Sequence, residues 1–167
     1  MGVKPYCVAA LQTTNLYVDN PNDVWRNLEL IKETFEGIHY IRVEFPIRLV
    51  CIAEGAIQTF VDSRDGWDHG KNAREGLMNT TVPGKETDFL AELAKKWEVY
   101  LCGQLRAKDP DMGYDDRYFN QLFLIDPNGD LILKYHKLQT FALEPSVLPH
   151  DVWDDFGKVY GHDLKSL

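Results

Sequence analysis

Three residues stand where their types could do chemistry. Glu54 follows the apolar run LVCIA. A carboxylate leaving a buried strand at its carboxyl end lies where α/β sheets place their ligands. Partial desolvation there would raise its pKa and suit it to act as a general base. An exposed strand-end glutamate fits the same position. Lys137 closes the run LILKYHK. A lysine held at a strand end can stabilise an oxyanion with its ammonium group, or it can be a solvated edge residue. Glu144, between Leu143 and Pro145, could enter the same site or remain a loop carboxylate.

These side chains need a scaffold, and hydrophobic periodicity supplies one. Tyr6 to Thr13, Arg48 to Ala53, Glu98 to Leu105, Arg117 to Asp126 and Leu131 to Lys137 read as strands. Asn20-Pro21 has the cap and first-turn residues of a helix start, and the apolar spacing Val24, Leu28, Ile31, Phe35 predicts a helix over 21–36 that ends at Gly37. Glu86, Phe89, Leu90, Leu93, Ala94 and Trp97 predict a second amphipathic helix over 85–97. Pro127-Asn128-Gly129 marks a hairpin turn. Residues 56–82 read as a long loop with room for one short helix, a length that points to function. Within it, Phe60 to Arg74 could shape substrate access. Residues 143–167 read as an extended tail. The order strand, helix, strand, helix, strand, hairpin implies an α/β fold with a mixed sheet and helices on one face. The other sheet face is apolar too, and nothing in the chain is predicted to cover it.

Composition narrows the function. The 167 residues hold 18 Lys plus Arg and 26 Asp plus Glu, for a net charge of −8. An acidic chain disfavours nucleic-acid binding. No apolar run has the length of a membrane span, and no secretory signal is expected from the first residues. Cys7, Cys51 and Cys102 are odd in number, far apart and without zinc-like spacing, which points to a reducing, cytoplasmic setting. His150-Asp151, Asp154-Asp155 and His162-Asp163 match no standard metal spacing and read as a solvated acidic tail.

Six motifs in order carry a resemblance. They are Glu54 after LVCIA, Pro83-Gly84 ahead of the second helix, Gly103 in YLCGQ, Asn120, the Asp126-Pro127-Asn128-Gly129 turn, and Tyr135-His136-Lys137. Over about residues 4 to 145 the chain resembles the nitrilase, or carbon–nitrogen hydrolase, superfamily, and its TVPGKET stretch leans toward the amidase branch. The resemblance implies part of a four-layer αββα sandwich and hydrolysis of a non-peptide carbon–nitrogen bond, in a small amide before a nitrile. It implies no metal or organic cofactor, and association into homo-oligomers. It also implies a Cys-Glu-Lys set in which Glu54 is the general base, Lys137 the oxyanion stabiliser and Glu144 a second glutamate. The family nucleophile is a cysteine on a strand well after the lysine. The 30 residues after Lys137 contain no cysteine. Cys51 is expected on the strand face opposite Glu54, and Cys7 and Cys102 are expected as small hydrophobes. The domain over 1–167 is thus expected to be incomplete, its cysteine carried by a C-terminal part or a partner chain. Two other readings remain: a non-catalytic half-domain used for binding or assembly, and a metal-dependent hydrolase with Glu54 as ligand.

Overall fold

The computed structural model describes residues 4–18, 20–41, 44–59, 69–140 and 146–162. Five strands form one sheet in the order β1-β2-β3-β4-β5. They are β1 (Cys7–Leu11), β2 (Ile47–Ile52), β3 (Tyr100–Ala107), β4 (Phe119–Ile125) and β5 (Leu131–His136). β1, β2 and β3 run parallel, and β4 and β5 add to them antiparallel. The sheet is therefore mixed, as the element order required. The parallel connections are made by α1 (Pro21–Ile38) and by α2 (His69–Arg74) with α3 (Lys85–Trp97).

Sequence explains the helix limits. The Asn20 side chain accepts from Asn22 N at 2.9 Å and opens α1, while Pro21 needs no N–H partner at the first turn. Gly37 does not stop this helix. It continues to Ile38, and His39 caps it in an ordinary helical conformation, because a glycine halts a helix only where the chain turns left-handed. α3 starts at Gly84, where a Cβ would lie 2.5 Å from the Thr81 carbonyl oxygen. No other residue fits that approach without a backbone shift.

α1 and α3 pack on one sheet face. Leu28, Ile31 and Phe35 of α1 and Leu90, Leu93 and Ala94 of α3 join Val50, Ile52, Leu101, Leu105, Phe123 and Ile125 of the strands in one buried cluster. Each fully buried Leu, Ile or Phe there contributes about 1.5–3 kcal/mol. Asn27 of α1 is buried in this layer, and its side chain accepts from Leu16 N and donates to Leu16 O and Ile57 O. It thereby fixes the two loops that flank the sheet edge.

The tail departs from its predicted extended form. Pro149–Val152 is a 3-10 turn and Trp153–Tyr160 is a helix, α4. Phe156 and Tyr160, one turn apart, pack their rings on His136 of β5. His136 pairs with Gln121, on the same side as Phe123, so α4 continues the helical layer over the far end of the sheet.

The opposite face has no cover among the described residues. Pair register puts Val8, Leu49 and Tyr100 in one row and Ala10, Cys51, Cys102, Leu124 and Leu133 in the next. Val8, Tyr100, Leu122 and Leu133 are exposed there. No described helix is long and apolar enough to cross a membrane.

Candidate active site

Four elements bring polar side chains to one edge of this open face. β2 and β3 deliver their carboxyl ends to that edge, β4 begins there and β5 ends there. Glu54 sits two residues past β2, Gln104 lies in β3, Asn120 near the start of β4, and Lys137 directly after β5. Together with Ile52, Cys102, Gly103, Leu122 and Tyr135 they line a cleft of about 180 Å³.

The backbone around Glu54 is tightly set. Gly55 has φ 77°, a left-handed conformation in which glycine carries no steric penalty. It turns the chain sharply after Glu54 and aims its N–H at Gln104 Oε1, 3.0 Å away. Three residues on, buried Gln58 clamps β3 by accepting from Arg106 N at 2.7 Å and donating to Arg106 O at 2.9 Å. Arg106 donates in turn to Thr59 O. The segment carrying Glu54 is thus bolted to β3 at both ends.

Side-chain amides then orient the carboxylate. Gln104 Nε2 donates to Asn120 Oδ1 at 2.8 Å, and Asn120 Nδ2 donates to Glu54 Oε1 at 2.8 Å. Lys137 Nζ donates to the same Oε1 at 2.8 Å. Lys137 N also bonds Asn120 O at 2.9 Å, which extends the β4–β5 ladder to the lysine itself. The other oxygen, Glu54 Oε2, accepts no hydrogen bond among the described residues.

The expected rise in the Glu54 pKa is corrected by this geometry. Burial does push the carboxyl up, but the Lys137 and Asn120 hydrogen bonds and the Lys137 and Arg106 charges outweigh it, and the net shift is downward. The strand-end position foretold the desolvation; it could not foretell partners 66 and 83 residues away. Glu54 is therefore anionic at neutral pH, in an ion pair whose side chains are 43% and 31% exposed for Glu54 and Lys137.

Of the predicted site residues, Glu54 and Lys137 meet. Glu144 lies outside the described residues, as do residues 60–68 of the long loop. Gln104 and Arg106 were not foreseen, and Asn120 was foreseen only as a motif. The signal for Gln104 was its placement two residues beyond Cys102 on one strand face. Cys51 also differs from expectation. It is in register with Cys102, on the open face that the site occupies, because β2 ends at Ile52 and strict alternation does not extend to Glu54. Cys102 lines the cleft but makes no hydrogen bond to Glu54, and burial raises its thiol pKa.

Of the charged tail residues, Asp163 lies outside the described residues, and several others are engaged locally. Asp151 Oδ2 accepts from Leu148 N at 2.9 Å, Asp155 accepts from Tyr114 OH and Lys158 Nζ at 2.6 Å each, and His150 stacks on Trp153. Among the described residues no three metal-binding side chains cluster.

A second polar centre supports β5 from behind. Asp109 is fully buried and accepts from Lys134 Nζ at 3.0 Å, His136 Nε2 at 2.6 Å and Tyr160 OH at 2.6 Å. Burial opposes its ionisation, yet these three bonds hold its carboxyl well below the usual range. Burial and the same carboxylate push the Tyr160 hydroxyl well above the phenol range. This centre joins α4 to the residue that precedes Lys137.

The family model for carbon–nitrogen hydrolases matches residues 7–161. A formamidase of Bacillus cereus (strain Q1) is 35% identical over 117 residues, which cover 69% of this chain and 32% of that protein. A formamidase of Bacillus thuringiensis (strain Al Hakam) is 34% identical over the same shares. Among solved structures, an N-terminal amidase superposes with TM-score 0.61 at 14% identity, over 82% of this chain and 29% of that one. Nit3 of Saccharomyces cerevisiae, a member of branch 10 of the nitrilase superfamily, superposes with TM-score 0.58 at 19% identity, over 84% and 46%. The chain spans about a third of the length of the curated relatives it matches.

Proposed function

The chain belongs to the carbon–nitrogen hydrolase family, and from that premise we propose that it supplies the base and the oxyanion cation for hydrolysis of a small amide. The observation that carries the reading is the convergence of Lys137 and Asn120 on one oxygen of Glu54. It leaves the second oxygen of a cleft-lining carboxylate free to take a proton. The formamidase relatives make formamide the first substrate to test.

In this scheme a cysteine thiol supplied by polypeptide beyond residue 167, or by a partner chain, enters over the open face. Glu54 Oε2 takes the thiol proton as sulfur attacks the amide carbon. Negative charge grows on the amide oxygen, and the Lys137 ammonium moves toward it. That movement removes the main influence depressing the Glu54 pKa, so the carboxyl holds its proton until it passes to the leaving ammonia. Glu54 then activates the water that hydrolyses the thioester. Asn120 and Gln104 keep the carboxylate in place throughout.

The test uses natively purified intact protein. Denaturing mass spectrometry should find this sequence joined to, or accompanied by, polypeptide with a further cysteine, and the preparation should release ammonia from formamide. Glu54→Gln should abolish the release. Full activity in that variant, or activity surviving thiol alkylation, would overturn the scheme. Absence of any further cysteine polypeptide would favour the non-catalytic half-domain instead.

A further inference from the structure

The cysteines do more than fill space. Cys51 of β2 and Cys102 of β3 are direct register partners in the parallel pair, so their side chains leave the same sheet face side by side. Neighbouring strands lie about 4.7–4.9 Å apart, within the roughly 4.4–6.8 Å between Cα atoms that a disulfide bridges. Both residues are half-buried and reduced, and neither thiol makes a hydrogen bond among the described residues. On their outer sides the register partners are Ala10 and Leu124, which leaves each cysteine one thiol partner. Cys7 pairs with Ile47 at the other end of the sheet.

We propose that Cys51 and Cys102 form a reversible cross-strand disulfide under peroxide, a modification site set against the wall of the cleft. One thiolate attacks the peroxide oxygen, forming a sulfenic acid and releasing water. The second thiol displaces that hydroxyl as a second water and closes the S–S bond. Two thiols lose two hydrogens and two electrons, and hydrogen peroxide takes them up. Burial of Cys102 keeps the thiolate fraction low, so the reaction quickens as pH rises. The bond would tie β2 to β3 three residues before Glu54 and two before Gln104, and would change the cleft wall at Cys102. In a reducing compartment such a bond is transient, the behaviour of a redox sensor.

The experiment treats the natively purified intact protein, freshly reduced, with dilute hydrogen peroxide at pH 7 and pH 9. The thiol titre should fall by two, the intact mass should drop by about 2 Da, and a digest should contain Cys51 linked to Cys102. Dithiothreitol should restore both thiols, and Cys7→Ala should leave the linkage unaltered. Separate sulfinic acids at Cys51 and Cys102, a linkage through Cys7, or cross-linked dimers would each overturn the proposal. The readout needs no catalysis, so it stands or falls apart from the amidase scheme.

Discussion

Removing the Asp109 carboxylate should destabilise the fold by about 3 kcal/mol. Asp109→Ala strips the acceptor from His136, whose side chain is 4% exposed, and leaves it with no alternative partner in the centre. Lys134 and Tyr160 fare better, since Asp111 Oδ2 lies 2.9 and 3.1 Å from them. The loss is therefore one orphaned buried donor, worth about 1–3 kcal/mol, plus part of the roughly 3–5 kcal/mol of breaking a buried charge pair. With a urea slope of about 2 kcal/mol/M, the unfolding midpoint should fall by about 1.5 M. Tyr160→Phe should cost about 1 kcal/mol. In the double variant the two losses should fall short of their sum, because both remove the same bond. Equilibrium urea unfolding followed by tryptophan fluorescence measures all three. A midpoint shift for Asp109→Ala below about 0.3 M, or strict additivity with Tyr160→Phe, would refute the claim that this buried centre holds α4 to β5.

Other consequences can be checked alongside it. Lowering pH should erase the Asp109 contribution. Its folded pKa is depressed, so the stabilisation is complete above the ordinary carboxylate range and is lost as pH falls through the lower folded value. The stability gap between wild type and Asp109→Ala should narrow on acidification below about pH 4, and a gap that widens would contradict the assignment. Gly103→Ala should cost about 1–3 kcal/mol, because the new Cβ would lie 2.6 Å from the Phe123 ring that covers Gly103 across the β3–β4 pair; a thermal melt unchanged from wild type would refute this. Lys137→Met should shift stability by less than about 1 kcal/mol, since the pair with Glu54 is partly solvated, while removing ammonia release from the intact enzyme. Unfolding as severe as that of Asp109→Ala would make Lys137 a structural residue.

Much of this fold was written in local pattern. α3 runs over the predicted 85–97, and all five strands fall within two residues of their expected limits, because buried strands and a one-sided helix impose short periods on the sequence. α4 was missed although Val152, Phe156 and Tyr160 recur every four residues. Two helical turns surrounded by aspartates give too short a period to separate from a loop. Glu54 and Lys137 were found through ordered motifs, but their mutual bond, the Gln104–Asn120 relay and the Asp109 centre join residues far apart in sequence. Single-position reasoning sees the cost of burying Glu54 and Asp109, but not the donors that reverse it. Asp109 in particular sits in KDPD, which reads as an ordinary turn until His136 and Tyr160 close around it.

The sheet order has a consequence for how the protein is made. Each strand pairs with the one synthesised just before it, so as the chain leaves the ribosome every new strand can add to a finished edge without rearranging earlier ones. The Glu54–Lys137 ion pair forms late in this sequence of events. Glu54 is in place once β3 has docked, but Lys137 arrives only with β5, 83 residues later. A nascent chain stopped after β4 would hold a sheet and the Glu54 carboxylate, without the lysine that pairs with it.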